Sequence, residues 1–289
     1  MLSLYFSMYY TGCHGTGEAR SHQWNIIEAL GINGKLPNLI SLKIFGWLGI
    51  HRFSLVEKVH IGWLTASLQH LNFSLPARAN GQEDSESHEL FWKEFVVPHI
   101  LKPAINLESL TMREVWGEKQ YLDISQAQLT TYPRLAALSL KGIVWEDGTI
   151  GQGGMVVPPP LEDFIVRHGK MLKILKLSGC SINVKDYGRV PPLCYWANIY
   201  ERLANALTEL VELEVRYENI PYMSSTAPHN EFVLPWPYYR LKRLEGMERD
   251  EEALEEFKAV VEKRVMDTDL NFDREAIGWS GWDEERGSQ

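Results

Sequence analysis

One spacing of apolar and polar positions recurs along the chain: Leu-x-x-Leu-x-apolar, with polar or small residues between. It stands at Leu39/Leu42/Ile44, Leu68/Leu71/Phe73, Leu107/Leu110/Met112, Leu135/Leu138/Leu140, Leu172/Leu175/Leu177 and Leu210/Leu213/Val215. Chance would supply roughly one such match in a chain of this length and leucine content. Six therefore indicate an internal repeat, and the second leucines lie 28 to 39 residues apart. Period-two alternation predicts a short strand in each unit, its leucines on one face and its polar residues on the other. One unit is fuller: Leu172-Lys-Ile-Leu175-Lys-Leu177-Ser-Gly-Cys180-Ser-Ile182 reads L-x-x-L-x-L-x-x-C-x-I, where the Cys position turns the chain away from its strand.

Between the strands the period lengthens to that of a helix. Ser54 to Glu57 form a capping box ahead of Val59, Trp63 and Leu64. Pro160 occupies a first helical position before Leu161, Phe164 and Ile165, and residues 193–207 carry Leu193, Trp196, Tyr200, Leu203 and Leu207 at helical spacing. A unit of helix and strand cannot bury its own apolar face, so units must stack. The expected architecture is an α/β, irregular leucine-rich-repeat solenoid, with parallel strands on the concave face and helices outside.

Leu2-Ser-Leu4-Tyr-Phe6 alternates like a further repeat strand. A stacked core needs a polar cap at its first unit, so the natural chain is expected to begin further upstream. Segments 77–89 and 148–160 read as loops, and 221–237 as irregular chain. Leu254, Phe257, Val261 and Val265 share one side of a predicted amphipathic helix over 250–265. The expected domains are a solenoid over 1–245, a capping helix over 246–266 and an acidic, disordered tail over 267–289.

Composition narrows the chemistry. A formal charge of −9 argues against nucleic acid, and no apolar run is long enough for a membrane helix, so the expected location is cytoplasm or nucleus. Three cysteines (Cys13, Cys180, Cys194) without CxxC spacing offer neither a disulfide framework nor a zinc ribbon. Gly278-Trp-Ser280-Gly281 lacks the last glycine of a nucleophile elbow, and Gly151-Gln-Gly153-Gly154 and the run from Gly12 to Gly17 lack the elements that complete phosphate or dinucleotide loops. Cys13, His14 and His22 have no second ligand pair at metal spacing. The expectation is no catalytic residue, no metal and no cofactor.

The stretch from Leu161 to Ile182, then Trp196 and Ile199-Tyr200-Glu201-Arg202-Leu203 leading to Leu210-Val-Glu-Leu213, resembles the C-terminal leucine-rich region of fungal F-box proteins. Asp250-Glu-Glu-Ala253-Leu254 and Val261-Glu-Lys-Arg264 resemble that family's closing helix, and the similarity spans about 130–265. The resemblance implies repeats that recruit the protein to be ubiquitinated by an SCF-type ligase. It implies contact with the ligase adaptor only if an F-box lies upstream, since no F-box helices precede the first repeat. The alternative is a stand-alone repeat scaffold or truncated fragment with no ubiquitin role.

Alternation also names a surface. The polar face of the strands carries Lys43, Phe45, Asn72, Ser74, Thr111, Arg113, Ser139, Lys141, Lys176, Ser178, Glu214 and Arg216, of which five are basic and one acidic. Lys43, Arg113, Lys141, Lys176 and Arg216 are the partner-binding candidates, expected to attract an acidic or phosphorylated protein segment.

Overall fold

The computed structural model describes residues 1–5, 25–26, 29, 36, 39–45, 64–76, 92–115, 120–121, 131–146, 149–150, 156–183, 194–216, 222–224, 239–240 and 248–268. In chain order the strands are β1 Leu2–Tyr5, β2 Ser41–Phe45, β3 His70–Pro76, β4 Ser109–Val115, β5 Gln120–Tyr121, β6 Ala137–Lys141, β7 Ile143–Glu146, β8 Thr149–Ile150, β9 Val156–Val157, β10 Ile174–Ser178, β11 Ser181–Asn183, β12 Glu212–Arg216, β13 Tyr222–Ser224 and β14 Tyr239–Arg240. Among the described residues, helices with both ends given are α1 Pro160–Arg167, α2 Trp196–Ala206 and α3 Glu248–Thr268, with a wider, π-type helix over Trp92–Leu101, and residues 25, 26, 29 and 64–66 are also helical.

The fold is mixed α/β, built on an open seven-stranded sheet in the order β1-β2-β3-β4-β6-β10-β12, parallel throughout. Register follows the leucine pattern. Leu2, Leu42, Leu71, Leu110, Leu138, Leu175 and Leu213 stand side by side, and Leu4, Ile44, Phe73, Met112, Leu140, Leu177 and Val215 form the next row on the same face. A one-residue slip would turn every leucine to the other face, so burial holds the register. The five inner strands bury both rows, while the pairs on β1 and β12 are partly covered.

Six of the seven main strands, β2, β3, β4, β6, β10 and β12, are entered through a similar turn. The N–H groups of Leu39, Leu68, Leu107, Leu135 and Leu210 donate to the carbonyl three residues earlier, and Leu172 to the one four earlier. The carbonyls of Ile40, Gln69, Glu108, Ala136 and Lys173 then each accept two consecutive N–H groups from the following repeat, carrying the ladder across the turns. The first pattern leucine thus serves the turn and the second the sheet.

A second sheet, β14-β13-β11-β7-β5, escaped the sequence reading. The main strands β6 and β10 reach it through Gly142 (φ 70°) and Gly179 (φ 59°), left-handed positions that cost a β-carbon residue energy. Their N–H groups still donate to Ser178 O and Arg216 O, at 2.8 and 2.9 Å, so the chain turns without stranding a donor. Cys180, just past the turn, is buried with its thiol 3.6 Å from Leu140 O.

α1, α2 and the second sheet share one core with the leucine face. Leu161, Phe164 and Ile165 of α1 and Trp196, Ile199, Tyr200 and Leu203 of α2 are buried in it, and Trp196 meets Trp145 of β7 edge-on at 5.1 Å. α1 begins at Pro160 as expected, and α2 is slightly shorter than the predicted 193–207. Two expectations change. The segment 148–160 contains the antiparallel pair β8–β9, and 221–237 contains β13. α3 extends through Asp267 and Thr268, the first two residues of the expected tail. The capping box at Ser54, the loop 77–89, residues 269–289, and the glycine, Cys13 and histidine motifs considered above lie outside the described residues.

Candidate interaction surface

The second face of the main sheet holds three rows across the strands. Ser41, His70, Ser109, Ala137, Ile174 and Glu212 form the first; Ser3, Lys43, Asn72, Thr111, Ser139, Lys176 and Glu214 the second; Ser74, Arg113, Lys141, Ser178 and Arg216 the third. The five candidate residues therefore share one face, but not one environment.

Lys43, Arg113 and Lys141 are half-buried on β2, β4 and β6, and the guanidinium of Arg113 lies 4.1 Å from the centroid of the Phe45 ring. This cation–π contact holds the charge over the sheet. Lys176 is different: at 7% exposure it is buried, its ammonium 3.1 Å from Glu212 and 3.0 Å from Glu214. Arg216 is exposed and pairs with the same Glu214. The stripe expected from alternation is therefore not uniform: on β10–β12 its basic residues belong to an ion-pair network. Glu212, two residues before Glu214 and not counted in the sequence, supplies the second carboxylate.

The face is also less open than alternation implies. Ala137, Ile174, Ser139, Ser74 and Ser178 are buried. On β3 and β4, His70 Nδ1 and Ser109 Oγ are 2.9 Å apart; burial lowers the His70 pKa, opposed by the nearby Glu108 carboxylate. Asn72 Oδ1 and Ser139 Oγ are sealed from solvent and have no hydrogen-bond partner.

Away from this face the buried polar groups hold elements together. His168, directly after α1, accepts the Tyr132 N–H at Nε2 (3.0 Å) and contacts Phe164 O through Nδ1 at 2.7 Å. That pairing requires the neutral, Nδ1-protonated ring, and burial lowers the His168 pKa, with Arg167 adding to the shift and the Phe164 bond opposing it. Glu162 is buried beneath the guanidinium of Arg202, which also contacts Cys194 Sγ at 3.4 Å. Burial raises the Glu162 pKa against the pull of Arg202.

α3 clasps α2 at both ends. Asp250 accepts the Ala197 N–H at 2.8 Å and the Tyr222 O–H at 2.6 Å, while the Tyr222 oxygen accepts the Trp196 N–H at 3.0 Å. Arg264 donates to Ala204 O and Leu207 O, both at 2.7 Å. An acid at the helix start and a base at its end complement the helix dipole and require the two helices to run parallel. The sequence offered both residues only as part of the resemblance to a closing helix; the partner helix reveals their work.

The described residues contain no group of three His, Cys, Asp or Glu side chains placed to hold a metal ion, and none of their helices is long and apolar enough to cross a membrane. No family model matches the chain, and no significant match is found among curated proteins or solved structures.

Proposed function

We propose that the chain is a non-catalytic protein-interaction module: a leucine-rich-repeat solenoid that captures a protein partner on the second face of its parallel sheet. The observation that carries this reading is the repeated entry turn and shared register of strands 28 to 39 residues apart in the chain, which array the polar residues of successive units as one surface. Five basic side chains of this face, Lys43, Arg113, Lys141, Lys176 and Arg216, suit it to an acidic or phosphorylated segment. The likeness of 130–265 to the repeats of fungal F-box proteins supports substrate recruitment to an SCF-type ubiquitin ligase as the role of capture.

A photo-crosslinking residue at Thr111, centred on the face, tests the module. Cells expressing the intact chain should yield discrete crosslinked proteins from position 111 and far fewer from Met266, exposed on α3. Equal yields from both positions would remove the face as the recognition surface. The ligase role is tested by binding of the SCF adaptor to the chain extended with whatever coding sequence lies upstream of Met1; an extended chain that ignores the adaptor would leave a repeat scaffold without a ubiquitin role.

A further inference from the structure

We draw no further inference here: the strongest candidate, the outer edge of β1, where the seven-stranded sheet ends with Leu2 and Leu4 only partly covered, carries nothing, because nothing in the structure shows what covers it.

Discussion

Replacing His168 by Phe keeps an aromatic ring of similar size between Tyr132 and Phe164 but removes both ring nitrogens. His168 is fully buried, so the Tyr132 N–H and the Phe164 carbonyl would lose partners that water cannot replace. A buried group left unpaired costs about 1–3 kcal/mol, which puts the two together at about 2–6 kcal/mol. In a domain of this size each kcal/mol lowers the melting temperature by roughly 2–4 °C, so a fall of about 4–24 °C is expected. pH supplies a second, independent signature. The folded pKa of His168 lies below its ordinary value, so the folded state binds fewer protons and the histidine's contribution is complete above about pH 6.5. It is lost as pH falls through the depressed folded value. Glu162 and Asp250, whose pKa values burial raises, act in the opposite sense: their neutral forms favour the fold, and that contribution fades as pH rises through their folded values. Subtracting the urea-unfolding free energy of His168→Phe from that of the parent at each pH cancels the carboxylates and leaves the histidine. The difference should be largest at pH 7.5 and shrink toward pH 5. A difference below 0.5 kcal/mol at neutral pH, or one that grows on acidification, would refute the assignment of a neutral, doubly bonded ring.

Four further outcomes follow from the packing. Gly169→Ala places a β-carbon inside contact distance of the Ala206 carbonyl at the end of α2 and should cost about 1–3 kcal/mol in thermal or urea melts. Asp250→Ala removes the acceptor at the start of α2 and should cost about 2 kcal/mol; a double-mutant cycle with Tyr222→Phe should show coupling, because the two side chains share a hydrogen bond. Gly142→Ala should lose about 1 kcal/mol or more to its left-handed backbone. Lys176→Met, which removes the buried cation between Glu212 and Glu214, should cost about 3 kcal/mol, whereas Arg216→Met should stay within about 1 kcal/mol.

The seven main strands were legible because the first three positions of the spacing make a turn and the last three a buried strand, so the pattern survives wherever the intervening chain varies. Even Leu2 and Leu4 declared their strand by alternation alone. The second sheet was not legible for the opposite reason. β7 and β11 have four and three residues and follow β6 and β10 after gaps of one and two residues, so alternation runs through the glycine and hides the turn. The Trp92–Leu101 helix carries Pro98, which a periodicity reading takes as a breaker. On the candidate surface, alternation placed Lys43, Arg113, Lys141, Lys176 and Arg216 on one face, but it could not see Glu212 beside Lys176, because that contact depends on the register between two strands 38 residues apart. The clasp on α2 shows the same limit: Asp250 and Arg264 differ from their charged neighbours only in what α3 packs against.

Quantitative affinity capture by the intact chain and by the folded double variant Arg113→Glu/Lys141→Glu, compared across salt concentrations, tests most directly whether this face meets a partner. Proteins retained by the parent at low salt should be lost from the variant, and the salt dependence of whatever remains should flatten. If the variant melts like the parent and still retains the same proteins with the same salt dependence, the face of the parallel sheet is not where this protein meets its partner.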